Sequence, residues 1–297
     1  MISSLSSQQK NNYTNPKLHL PHTSTSTSIC QYLLWIFIWL HPFVDRDYLS
    51  SLLSLDFFMM YSIWFLPLLC SNVYRWISES KLFEDYKLIS STMSIKDGTP
   101  LEKEVDNHFW KSQGLTTVAY WTITRLFDIK FESVSPTPTA PSRLTSIIQV
   151  LVSLLIADFH NYWVHRLFHS TSLYKYHKKH HQFVDPVPMA VNWLSELEII
   201  TITMPILFVP IFLFKMHPIT ILLWTTVTVT RGYYEHCHYD LPFDPFQLIP
   251  FNNNVKLHDD HHRFGGGLSG TNGRSGGNYG SYFHYCDYLF GTLILRE

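Results

Sequence analysis

The chain has 297 residues, of which 46% are hydrophobic, 16% aromatic and only 15% charged. Ordinary soluble domains carry about 25% charge, and a net charge of −1 leaves no electrostatic footprint for nucleic acid. Four cysteines without a C-x-x-C pair argue against a disulfide scaffold and against a thiolate zinc module. Two excesses remain: apolar surface, and 17 histidines.

In chain order, residues 1–28 are rich in Ser, Thr, Asn and Gln, have no apolar periodicity, and are expected to be disordered. They lack the basic start and short apolar stretch of a secretory signal. Segment 29–44 is apolar but short, which suits an interfacial helix. Segments 48–74, 144–164 and 197–214 each reach the ~20 residues needed to cross a bilayer. Segment 218–230 is shorter and follows the third after only Lys215, Met216 and His217, so the two are expected to form a tight helical hairpin. Trp64, Tyr74, Trp76, Tyr162, Trp163 and Trp224 stand at block edges, where aromatic side chains suit a membrane interface.

Residues 132–143, which include ESVSPTPTAPS, form the clearest linker. They divide an N-terminal membrane region, 29–131, from a second domain, 144–297. The expected fold is all-α, an integral membrane bundle of about four spans. A soluble all-α protein with buried helices is the competing reading, but several stretches this long and apolar rarely share one soluble core. The Gly-rich stretch 265–280 is not a phosphate loop, because no Gly-Lys-Ser/Thr follows.

The histidines fall into patterns. His165 and His169 form H-x-x-x-H; His177, His180 and His181 form H-x-x-H-H; His258, His261 and His262 form it again. At the observed histidine frequency chance supplies about 0.06 such five-residue matches, so two are not accidental. Residues three and four apart share a helix face, so each group is expected to project its rings together. Neutral imidazole nitrogen binds iron, zinc, copper or nickel. Eight such residues exceed what one tetrahedral zinc needs and suit a two-metal centre.

Placement adds to this. The first two groups follow the 144–164 segment and the third lies beyond the hairpin, so one membrane face holds all three. Arg166, Lys175, Lys178, Lys179, Lys256 and Arg263 stand on that side, against Lys215 alone in the hairpin turn. The positive-inside rule makes the histidine cap cytoplasmic. His236 and His238 follow the fourth segment on the same side, and either could complete the site. His19, His22, His41, His108, His160, His217 and His284 are isolated and carry no metal expectation.

The stretches Asp158-Phe-His-Asn-Tyr-Trp-Val-His165-Arg-Leu-Phe-His169 and Tyr174-Lys-Tyr-His177-Lys-Lys-His180-His181 open a longer pattern. It resumes at Glu235-His236-Cys-His-Tyr239-Asp-Leu-Pro242 and Leu248-Ile-Pro-Phe251. It closes with His258-Asp259-Asp-His261-His262, Gly277-Asn-Tyr-Gly280 and Asp287-Tyr-Leu-Phe-Gly-Thr292. This text resembles the fatty acid hydroxylase/sterol desaturase superfamily of membrane di-iron enzymes over about residues 158–292. The likeness is greatest to its 4-methylsterol monooxygenase and cholesterol 25-hydroxylase branches, with sphinganine hydroxylases nearby.

The resemblance implies an endoplasmic reticulum membrane protein holding two iron ions. It implies His236 as the additional ligand, since His238 stands where relatives usually have Gly. It also implies electrons from NAD(P)H, delivered through a reductase and a small haem b carrier, with a sterol or acyl lipid as substrate. Because an all-histidine set is neutral, buried carboxylates are expected to orient the rings; Asp158, Glu235 and Asp259 are the candidates, with helix capping or solvated charge as their alternative. Two departures are visible: Ser195-Glu196 replaces a frequent His-Pro, and the Gly-rich insertion 265–276 follows the last box. Two readings of other classes compete. A transporter would place polar ligands at mid-membrane, and a zinc hydrolase would need an open metal position and a carboxylate base.

Overall fold

The computed structural model describes residues 60–88, 100–128, 140–170, 172–242, 244–265 and 276–295, all within one compact unit, Asp47–Glu297. The expectations for 1–28, 29–44, most of the linker and most of the Gly-rich insertion lie outside the described residues. Among the described residues the regular structure is helical, with only isolated bridges such as Lys87–Tyr239.

A π-helical turn, Tyr61–Phe65, leads into α1, Leu66–Ser80. Pro67 in the first turn of α1 has no N–H to give the carbonyl four residues back, which accounts for the widened turn before it. Helix α2, Pro100–Leu126, is 27 residues long and was not marked out by the apolar blocks. Its charged start hides it from a hydropathy reading. Helix α3, Arg143–Phe168, is capped by Ser142, whose side chain accepts from the Thr145 N–H. A short α4, Tyr174–His177, and 3₁₀ turns at His180–Gln182 and Pro188–Asn192 follow.

Helix α5, Glu196–Leu213, begins in a capping box made by Ser195 and Glu198. Its second turn is π-helical, Ile199–Thr203, just before Pro205. The missing Pro205 N–H leaves the Thr201 carbonyl without its helical partner. The His160 ring on α3 supplies it, with Nε2 donating at 2.8 Å. Helix α6, Pro218–Glu235, follows after four residues, capped by His217. The hairpin expected of the third and fourth segments is therefore present. Helix α7, Val255–Gly265, and α8, Tyr285–Leu289, complete the chain. Helix α6 packs against α1, α3 and α7, and α5 packs against α3.

Among the described residues two helices, α3 and Glu196–Leu213, are long and apolar enough to cross a membrane. Only 39% and 33% of their most apolar windows are buried, less than the core helix of a soluble protein would bury. On α3 the exposed positions include Leu144, Ile147, Ile148, Leu151, Leu155 and Phe159, while Ser146, Ser153, Asp158 and Asn161 are buried beside Val150, Leu154 and Ala157. A water-soluble helix has the opposite arrangement.

Candidate metal centre

Helix α3 delivers His165 and His169 from its C-terminal turn and cap. The segment after it delivers His177, His180 and His181. His236 caps the C-terminus of α6, and α7 carries His258, His261 and His262. These nine side chains form two groups, in each of which the candidate ligand atoms lie within 4.8 Å of one another. The first holds His165, His169, His177, His181 and His261; the second holds His180, His236, His258 and His262.

The division follows spacing. In both H-x-x-H-H motifs the i and i+4 histidines share a group, and the i+3 histidine joins the other. His177 and His181 pair in the first group while His180 crosses to the second. His258 and His262 pair in the second while His261 crosses to the first. At about 100° per residue on a helix, positions i+3 and i+4 sit on opposite flanks of i. Each motif can therefore feed two neighbouring sites. The groups adjoin, with the His181 and His262 rings 4.8 Å apart and those of His177 and His180 5.2 Å apart.

Five of the nine outer ring nitrogens are held by acceptors, those of His165, His177, His236, His261 and His262. His165 Nδ1 donates to the Tyr279 carbonyl at 3.1 Å and His261 Nδ1 to the Gly277 carbonyl at 2.7 Å. In the second group His236 Nδ1 donates to Gly232 O at 2.8 Å, and His262 Nδ1 to Phe183 O at 3.0 Å. His177 Nδ1 meets Glu198 Oε1 at 2.5 Å. Once Nδ1 carries the proton, Nε2 offers a lone pair. The Nε2 atoms converge. His177 Nε2 is 3.1 Å from His165 Nε2 and 3.0 Å from His181 Nε2. His236 Nε2 is 3.0 Å from His258 Nε2 and 3.4 Å from His180 Nε2. The buried Nε2 atoms of His261 and His262 have no hydrogen-bond partner.

His165 and His177 both hold a proton on Nδ1, so their facing Nε2 atoms meet acceptor to acceptor, which is repulsive. A cation in the first group removes that conflict, and one in the second gives the unpartnered His262 Nε2 a partner. Burial, followed by the neighbouring imidazoles, holds His181, His258 and His262 well below the usual histidine pKa. Burial brings His236 down to about 4. Neutral rings are the state that binds metal. The residues therefore fit two adjacent, nitrogen-rich metal sites of the kind that suits iron, zinc, copper or nickel.

The three carboxylates expected to orient rings do other work. Asp158 Oδ1 accepts from the backbone N–H groups of Ser281, Tyr282 and Phe283 at 2.8–3.1 Å. Glu235 accepts from Arg231 and Ser281. Asp259 pairs with His238 and with Arg263. Asp158 and Glu235 thus tie down the strap 277–283 that supplies the carbonyls for His165 and His261. Asp287 joins them, accepting from the N–H groups of Tyr279 and Gly280 at 2.9 and 2.8 Å. Glu198 is the carboxylate that touches a ring of the nine, and its signal was available as Ser195-x-x-Glu198, a capping box.

His238 stands outside both groups with φ at +64°, a region that favours glycine. Its ring turns to Asp259 instead. The isolated histidines have structural contacts: His108 Nε2 meets the Leu194 carbonyl at 2.9 Å, and His284 Nδ1 the Asn252 carbonyl at 3.0 Å.

Residues 150–292 match the model of the fatty acid hydroxylase family. Methylsterol monooxygenase 1-1 of Arabidopsis thaliana is 34% identical over 238 residues, covering 79% of this chain and 74% of that protein. Very-long-chain aldehyde decarbonylase GL1-10 of Oryza sativa subsp. japonica is 36% identical over 153 residues, 51% of this chain and 48% of that protein. Methylsterol monooxygenase 1 of Gallus gallus is 30% identical over 187 residues, 63% of this chain and 58% of that protein. No solved structure matches the chain. With its histidine boxes gathered into two adjoining nitrogen groups and a relative of 34% identity spanning most of both chains, the protein belongs to the fatty acid hydroxylase family.

Proposed function

We propose that the chain is a membrane-bound di-iron oxygenase that oxidises an unactivated C–H bond of a sterol or related lipid. The observation that carries this reading is the pair of adjoining groups, five nitrogens beside four, with the ligand atoms of each within 4.8 Å of one another. Bound iron would supply the activation of dioxygen, which lies outside the redox range of any side chain here.

The chain's own residues prepare the site. The nine histidines His165, His169, His177, His180, His181, His236, His258, His261 and His262 are the proposed ligands. Carbonyls of Gly232, Phe183, Gly277 and Tyr279 fix ring orientation and tautomer. Glu198 holds the His177 proton and makes that ring a more basic ligand. Burial of every ring but His169 below a tenth exposure keeps water out.

The substrate is proposed to arrive from the bilayer. An apolar groove of about 420 Å³ between α3 and α5 is lined by Ile156, Phe159, Trp163, Pro205 and Val209. It lies on the helix turns that lead to His165. Relatives named methylsterol monooxygenase support a 4-methylsterol as the first substrate to test. Two electrons from NAD(P)H would arrive through a separate reductase and haem b carrier. Lys175, Lys178 and Lys256 are exposed beside the histidine sites and give that carrier a basic surface. On this reading the histidine face is cytoplasmic and the protein resides in the endoplasmic reticulum membrane.

The test is metal content together with turnover. The purified protein should hold two irons per chain and consume a 4-methylsterol only with dioxygen and a reductant present. A single zinc whose removal leaves turnover unchanged overturns the reading.

A further inference from the structure

One side chain ties the two candidate spans together. Pro205 has no N–H, so the Thr201 carbonyl four residues before it loses its helical donor. His160 of α3 supplies the missing donor from Nε2 at 2.8 Å. A carbonyl only accepts, so the ring proton sits on Nε2. In the neutral ring Nδ1 then carries a lone pair.

That second nitrogen is uncommitted. Nδ1 makes no hydrogen bond among the described residues, and it is not enclosed by protein. His160 is half-buried and lines the apolar groove of about 420 Å³ between α3 and α5. Apart from the Trp163 indole, no other side chain lining the groove has a polar atom. Phe159 and Val209 line it and are exposed, so it opens on the apolar surface proposed to face the bilayer.

The chemistry of this place is specific. A bare acceptor facing hydrocarbon is costly, and a polar side chain within a span is by default a functional one. Bracing the Thr201 carbonyl needs a single donor, which a tryptophan or a lysine would also give. Histidine brings an acceptor as well, and presents it in the groove. Acyl chains have no proton to offer it, and the ester oxygens of phospholipids only accept. A lipid hydroxyl is the complement.

We propose that the groove between α3 and α5 binds a lipid alcohol, whose hydroxyl donates to His160 Nδ1 while its hydrocarbon body lies along Ile156, Pro205 and Val209. His160 thereby selects alcohols over ketones, ethers and esters on the way to the metal sites. This rests on the oxygenase reading above, which takes the groove as the substrate entrance. His160 precedes His165 by five residues, about 7.5 Å along the helix axis, so the hydroxyl is held about one and a half turns from the first ring.

The experiment uses the iron-loaded full chain in phosphatidylcholine nanodiscs with three probes: a 4-methylsterol, its 3-keto analogue and its 3-O-methyl ether. Direct binding of labelled sterol is measured beside KM, since binding needs no turnover. The wild type should bind the alcohol about tenfold more tightly than the ketone or the ether, and KM should follow the same order. His160→Phe keeps a ring but removes both nitrogens. It should weaken alcohol binding about tenfold and leave the ketone and ether nearly unchanged. His160→Gln offers an amide N–H to Thr201 and an acceptor oxygen to the groove, and should restore most of the preference. Equal binding of all three probes by the wild type overturns the proposal and leaves the oxygenase reading standing. So does a uniform loss across the three in His160→Phe, which would make the histidine a brace for α5 alone, or an alcohol preference that survives the substitution. An alcohol preference lost in His160→Phe, with no sterol consumed under dioxygen and reductant, upholds the subsite and removes the oxygenase reading.

Discussion

The two histidine groups are unequal. One has five nitrogens and a carboxylate behind it; the other has four and leans only on backbone carbonyls. Five donors leave fewer positions for anything else than four do, so the second group is the more open. The first is also braced by the strap 277–283, which Asp158, Glu235 and Asp287 hold in place. The comparison teaches that two sites made from the same motifs can be given different rigidity by what stands behind the rings. One metal is expected to be held tightly and the other to remain accessible.

The sharpest way to break that comparison uses two neighbours on α7. His261 belongs to the five-nitrogen group and His262 to the four-nitrogen group. If the proposed reaction needs both sites, His261→Ala and His262→Ala should each lower iron from two per chain towards one and each cut sterol turnover at least ~100-fold. Metal analysis of each variant beside a turnover assay reads this. Loss of a single common metal by both variants would show one shared site instead of two.

A milder change separates the groups by their support. Glu198→Gln keeps the length and the capping oxygen but loses the charge that holds His177. Metal affinity should fall about 10–100-fold, in one of the two sites only. Chelator competition should then show two release phases further apart, or reversed in order, compared with the wild type. A single uniform shift of both phases would show that the carboxylate is not selective.

The strap itself can be tested through stability. A Cβ at Gly277 would lie 2.2 Å from the Thr292 carbonyl oxygen. Because that atom is backbone, the strap must move, and with it the carbonyl that holds His261. Gly277→Ala should cost about 1–3 kcal/mol, seen as a lowered unfolding temperature. It should also weaken the five-nitrogen site while sparing the four-nitrogen one. Unchanged stability would mean the strap adapts freely.

Much of this site was legible in the chain. The eight box histidines declared themselves by i, i+3, i+4 spacing, and all eight line the two groups. What spacing alone did not reveal was the exchange of His180 and His261 between groups, because that depends on how two motifs face each other. The expectation that each motif projects its rings to one place was too simple for that reason. Asp158, Glu235 and Asp259 were chosen for closeness in sequence to histidines, yet their partners come from residues 281–283, from Arg231 and from His238. Glu198 is 21 residues from His177 and was hidden by that distance. Of the fold, the hairpin and α3 followed from hydropathy. Helix α2 did not, since Glu102, Lys103, Glu104 and Asp106 open it with charge and its apolar residues do not form a block.

The smallest expected effect concerns the histidine left out. His238 holds a left-handed backbone conformation and pairs with Asp259. A non-glycine residue there carries roughly 1–3 kcal/mol of strain. His238→Gly removes that strain and loses one hydrogen bond of about 1 kcal/mol. The two changes oppose each other, so stability should move by no more than ~1 kcal/mol. Asp259 keeps Arg263 as its partner at 2.9 Å, which limits the damage on α7. Iron should stay at two per chain, whereas His236→Ala, one helix cap away, should lose metal from the four-nitrogen group. Two neighbouring histidines would then differ in the one property that matters to the comparison. If His238→Gly lost as much iron as His236→Ala, the second group would hold five nitrogens like the first, and the asymmetry between the sites would vanish.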